Sequence, residues 1–121
     1  MEQVIGIGGV FFRARDPQKL AAWYRDHLGL PIVPDQTSGQ LTSAAAGEHT
    51  AWSVFPQDTE YFRSAAQSMV NYRVQDLDAM LAQLRAAGAE VEPKVEEYDF
   101  GRFGWACDPE GNWFELWEPN P

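Results

Sequence analysis

At 121 residues the chain has room for one domain with its own hydrophobic core and too little for two. Apolar residues make up 45% of it, with five Trp, four Tyr and seven Phe, a content that excludes a disordered segment. Nine Lys and Arg against 18 Asp and Glu leave a net charge of −9, and no basic run exists to neutralise a phosphate backbone, so nucleic acid is not an expected partner.

Cys107 stands alone, which rules out an internal disulfide and a Cys-rich zinc site. It precedes Asp108-Pro109 with no His nearby in sequence, and is expected to be a small buried packing residue. No basic-then-apolar leader opens the chain and no apolar stretch approaches the ~20 residues of a membrane helix, so the expectation is a cytoplasmic protein with no membrane partner.

The first element is "VIGIGGVFFRA", whose alternation of apolar and polar residues predicts a strand. The period then changes in "DPQKLAAWYRDHLGL": Leu20, Trp23, Tyr24 and Leu28 recur at helical spacing. Asp16 is suited to cap this helix, Pro17 to its first position and Gly29 to its left-handed end, which predicts a helix over 17–28. The runs "LPIV", "QLTSAA" and "TAWSVF" follow as strands, separated by "PDQTSG" and by the turn "GEH" that contains His49.

The same design recurs about sixty residues later in "VNYRVQDLDAMLAQLRAAGAEV". Val10, Arg13, Asp16, Ala22 and Arg25 match Val70, Arg73, Asp76, Ala82 and Arg85, and Asp76 caps a helix with Met80, Leu81, Leu84 and Ala87 on one face and Gly88 at its end. The strands "AEVEPKV", "RFGWAC" and "NWFELW" complete the second half. Each half therefore reads strand, helix, three strands: module one at about 1–56 and module two at about 69–121. Between them "PQDTEYFRSAAQS" lacks strand character and is read as a linker, covering about 57–68, with room for a short helical turn.

Two such modules, with D-x-x-x-L-x-x-W-Y-x-x-x-L-G-L early and D-P-x-G-N-x-x-E-L at the end, resemble the vicinal oxygen chelate superfamily of glyoxalase I, bleomycin-resistance proteins and extradiol dioxygenases. The resemblance spans nearly the whole chain. It implies an α+β fold of two tandem βαβββ modules forming an open half-barrel cavity, within a single domain over 1–121. It also implies ligands for a divalent metal on the first and last strands of each module. The first-strand positions, seven residues before each capping Asp, are Gly9 and Met69 here; the last-strand positions are Trp52, by aligning Pro56 with Pro119, and Glu115. Only Glu115 suits such an ion, and a catalytic site takes about three protein ligands. His27, late in the first helix on its solvent side, does not rescue the set, whereas a site of unexpected residues such as Glu115 with His49 stays open. The expectation is no metal and no cofactor.

Strand alternation then fixes what faces the cavity. If position 9 looks inward, Phe11 and Arg13 follow, and the duplication adds Met69, Asn71 and Arg73. On the closing strands Thr50, Trp52 and Val54 are expected inside, with Trp113, Glu115 and Trp117. These residues would bind a small apolar or aromatic organic ligand, unless the tryptophans only fill the barrel or a dimer interface. Arg13 and Arg73 would hold a ligand carboxylate, pair with Glu115, or reach solvent. Glu115 has three readings: a catalytic acid or base whose pKa burial raises, a structural ion-pair member, or a group that contacts ligand. A structural or ligand-contacting role is favoured.

The function expected is therefore small-molecule binding by a homodimeric protein that has lost the usual metal site. The alternatives are a glyoxalase-like lyase, isomerase or dioxygenase-type enzyme using Glu115 with or without a metal, and an interaction module.

Overall fold

The structure is a computed structural model that describes residues 1–42 and 49–120. In chain order it contains β1 (Val4–Ala14), α1 (Pro17–Leu28), β2 (Ser38–Thr42), β3 (His49–Pro56), β4 (Ser68–Val74) and α2 (Leu77–Ala86). Then follow β5 (Glu90–Val91), β6 (Glu96–Tyr98), β7 (Gly101–Cys107) and β8 (Trp113–Pro119).

Both helices begin where their caps place them. The Asp16 carboxylate accepts from Lys19 N–H at 3.1 Å, and the Asp76 carboxylate from Ala79 N–H at 3.0 Å. Gly29 ends α1 with φ +68° and returns its N–H to the Arg25 carbonyl.

The strands form one open sheet in the order β2-β3-β1-β4-β8-β7-β5, with β6 added alongside β7. The two halves join where β1 meets β4 antiparallel, and each half pairs its first and last strand in parallel, β1 with β3 and β4 with β8. The repeat is thus visible in register as well as in sequence: Phe11 lies opposite Ser53 as Asn71 lies opposite Glu115.

The helices cover one face of this sheet. Ala21 of α1 packs with Ala14, Ile32, Trp52 and Val54; Leu77, Met80 and Leu81 of α2 pack with Val74 and Leu116. The other face carries a third buried cluster of Phe11, Phe62, Met69, Phe103 and Trp105. Burial of such side chains contributes roughly 1.5–3 kcal/mol each by area.

Several elements differ from the sequence reading. "LPIV" is no strand: only Ile32 bridges to Gly39, because Pro31 and Pro34 remove backbone donors from the run. Residues 43–46 of the "QLTSAA" expectation lie outside the described residues. "AEVEPKV" contributes just two paired residues, and an additional strand, β6, follows it. The linker is a series of turns without a helix, and it is not a passive spacer, since Phe62 within it is fully buried. His49 is the exposed first residue of β3 rather than a turn residue, and Cys107 is half-buried. No helix among the described residues is long and apolar enough to cross a membrane.

Candidate functional site

Side chains that share a register row across neighbouring strands share a face. One row runs Ala51, Gly9, Asn71, Glu115 and Trp105 across β3, β1, β4, β8 and β7. A second runs Ser53, Phe11 and Met69 across β3, β1 and β4, and a third runs Arg73, Trp117 and Phe103 across β4, β8 and β7. Together they curve around a cavity of about 480 Å³ on the face opposite the helices.

Glu115 sits at its floor, fully buried. Asn71 Nδ2 donates to Glu115 Oε1 at 2.6 Å, and the Tyr61 hydroxyl donates to Glu115 Oε2. Burial pushes the carboxyl up to about 7, against the lowering effect of the Tyr61 and Asn71 hydrogen bonds. The Trp105 indole N–H also favours the carboxylate without reaching hydrogen-bond geometry, and the more distant Arg63 charge adds to this. Tyr61 is in turn raised well above the usual phenol range, by burial first and then by the neighbouring carboxylate.

Because Glu115 takes the amide N–H of Asn71, it fixes which way that amide points. Asn71 Oδ1 is left buried without a hydrogen-bond partner, directed at the backbone of Gly8. A Cβ on Gly8 would lie 2.1 Å from that oxygen and 2.9 Å from Trp117, so only glycine leaves this space open.

The walls are aromatic. Phe11, Phe55 and Tyr61 form one side, where Phe55 and Tyr61 stack at 5.3 Å. Phe103 and Trp117 form the other, stacked at 6.0 Å with 3° between their planes. Tyr98 and Phe100 stack at 5.5 Å on the half-open rim. Gln40, Ala51 and Ser53 complete the lining.

The residues expected to face the cavity divide into groups. Phe11, Asn71, Glu115 and Trp117 line it. Met69 and Trp113 lie on the same face but pack within or against the Phe11–Trp105 cluster, outside the lining. Trp52 and Val54 are a correction: both point to the opposite face, beneath α1, where Trp52 meets Tyr24 at 4.8 Å. The physical reason is register. Aligning the terminal prolines equates Trp52 with Glu115, whereas pairing equates Ser53 with it, and a shift of one residue turns every side chain over.

The two arginines are also corrected. Neither lines the cavity nor pairs with Glu115. Arg13 donates to the carbonyls of Gln57, Thr59, Ser64 and Ala66 at 2.5–2.9 Å and lies over the Phe62 ring, so it fastens the inter-module segment to the sheet. Arg73 donates to the carbonyls of Ile7 and His49.

Sequence reasoning missed Tyr61, the nearest partner of Glu115, because it lies in the segment read as a linker. The adjacent "EYFR", two aromatics in an otherwise polar stretch, was the available signal. Tyr98 and Phe100 were missed because they lie between "AEVEPKV" and "RFGWAC", in a stretch read as belonging to neither strand.

Around Glu115 stand Tyr61, Asn71 and Trp105, and among the described residues no three of His, Cys, Asp and Glu come together. His49 faces Thr42 at 3.4 Å and His27 packs at a tilt against Trp23 at 5.0 Å, both exposed.

Comparison with solved structures agrees with this architecture. Methylmalonyl-CoA epimerase from Mycobacterium tuberculosis is 25% identical with a TM-score of 0.68, over 98% of this chain and 90% of that one. The Streptomyces coelicolor enzyme of the same name, in complex with 2-nitronate-propionyl-CoA, gives a TM-score of 0.73 at 14% identity, over 98% of this chain and 100% of that one. A glyoxalase/bleomycin resistance protein/dioxygenase superfamily member from Vibrio splendidus gives 0.60 at 15% identity, over 98% and 99%. No curated protein matches the chain. The model of the glyoxalase-like domain matches residues 9–117, from the first cavity strand to the last, and the chain therefore belongs to the glyoxalase-like domain family.

Proposed function

We propose that the chain is a small-molecule-binding member of this family that works without a divalent metal and holds an apolar or aromatic compound in the bowl. The observation that carries this reading is the cavity of about 480 Å³, walled by aromatic rings around the buried Glu115 carboxylate. A volume in this range, mostly apolar with few polar groups to set orientation, is that of a small-ligand site. The donor set around Glu115 supports the metal-free part, since among the described residues it offers one carboxylate where a catalytic cation takes about three protein ligands.

The test combines elemental analysis with thermal melting in Ni²⁺, Zn²⁺, Mn²⁺ and Fe²⁺, and tryptophan fluorescence titrations with aromatic and hydrophobic compounds. The expected outcome is no stoichiometric metal, no chelator-reversible stabilisation, and saturable quenching by at least one compound class. A bound metal in stoichiometric amount would contradict the metal-free reading.

One observation favours a second reading, an enzyme that moves a proton. Glu115 is poised at about 7 on the cavity floor, the range in which a carboxyl both gives and takes a proton near neutrality. Epimerisation, the reaction in the names of several structural neighbours, belongs to that class of chemistry. Turnover that collapses in Glu115→Gln while ligand binding persists would establish this reading over simple sequestration.

A further inference from the structure

The charges around the bowl are one-sided. Among the described residues that line it Glu115 is the only one with a formal charge, and no Lys or Arg side chain is among them. The two arginines that its strands carry on this face, Arg13 and Arg73, donate to backbone carbonyls outside the lining. Arg63, whose charge reaches Glu115 electrostatically, lies behind the wall: its guanidinium stacks 3.7 Å over the Trp105 ring and pairs with Glu96 at 3.1 Å. An anionic ligand would therefore enter the pocket with no cationic side chain in its described lining and a carboxylate beneath it, at a desolvation cost.

The polar groups at the floor are mostly acceptors. The carboxylate is one, and Asn71 Oδ1 is a second, buried and unpartnered because Glu115 holds the amide by its nitrogen. Over this floor stand the rings of Phe11, Phe55, Phe103 and Trp117, with Tyr98 and Phe100 at the rim. Aromatic faces are electron-rich, and an enclosure of several rings with one carboxylate favours a positive charge over a neutral group of the same shape. The net charge of −9 attracts such a ligand at long range.

From this geometry we propose that the bowl selects a cationic nitrogen, an alkyl- or arylalkylammonium compound whose charge lies above Glu115 among the aromatic rings. The inference rests on the bowl being a ligand site. It adds the charge class of the ligand.

The test is a calorimetric titration of the wild-type chain at pH 8 with three probes of similar size: phenethylammonium, phenethyl alcohol and phenylacetate. The ammonium compound is expected to bind at least about tenfold tighter than the alcohol, with the carboxylate weakest. In Glu115→Gln, with folding checked by thermal melting, the ammonium preference is expected to fall to about twofold while the alcohol binds as before. Tyr98→Leu, at a rim position that is 45% exposed, with folding again checked by thermal melting, is expected to weaken the ammonium compound more than the alcohol. Equal binding of all three probes, or strongest binding of the carboxylate, would overturn the cation selectivity and leave the bowl as a ligand site. Failure of every probe to bind at millimolar concentration would overturn the ligand-site reading along with it.

Discussion

Replacing Glu115 by Gln should change how stability depends on pH, and the size of the change follows from the site. The carboxyl is pushed from 4.5 to about 7 in the folded chain because burial disfavours its charge. Between those values the folded state holds a proton that the unfolded chain has released. Folding therefore takes up a proton in this window, and stability falls as pH rises through it. The group favours folding fully below about 4.5, loses that contribution by about pH 7, and leaves a constant deficit above. The displacement corresponds to about 3 kcal/mol, an appreciable part of a typical domain's stability of roughly 5–15 kcal/mol. Gln has nearly the same shape and cannot titrate. Urea denaturation of both proteins from pH 4.5 to 8.5 isolates the effect as the difference between them, since every other titrating group is shared. The variant should gain about 3 kcal/mol on the wild type across that range, most of it before pH 7. A difference that stays flat with pH would refute the buried, uncompensated carboxyl on which the site rests.

Other consequences are independent of that one. Arg13→Met removes four charge-assisted bonds from the inter-module segment; allowing for rehydration of the surface carbonyls, the expected loss is about 3 kcal/mol by denaturant titration, and a loss under about 1 kcal/mol would contradict the fastening role. Trp52→Ala empties the space between β3 and α1 and should cost about 3–5 kcal/mol, while ligand affinity in the still-folded protein is unchanged. Tyr61→Phe deletes a hydrogen bond that lowers the Glu115 pKa, so the pH window above should move upward; no movement would mean the contact does not form in solution.

Much of this was legible in the residues. Asp16, Pro17 and Gly29 mark the ends of α1, and Asp76 marks the start of α2, because capping is local chemistry. The duplication followed from those coincident signals, and alternation along β1, β4 and β8 placed Phe11, Asn71, Glu115 and Trp117 on the cavity face. What failed was non-local. The face of Trp52 depends on its register with β1, which nothing within "TAWSVF" encodes, and apolar residues on both faces of a covered strand blur the alternation. Arg13 and Tyr61 depend on how an irregular segment folds back over the sheet, with bonds between residues more than forty positions apart.

The most direct test of the bowl as the functional site is to fill it. Ser53 lines the cavity and is the register counterpart of Glu115 in the first half, so Ser53→Trp should plug the space from the wall without touching the layers beneath the helices. Calorimetric titration of this variant with the probe that the wild type binds most tightly should give no measurable heat, with cooperative melting retained. Undiminished binding by a folded Ser53→Trp protein would place the ligand elsewhere and contradict the account.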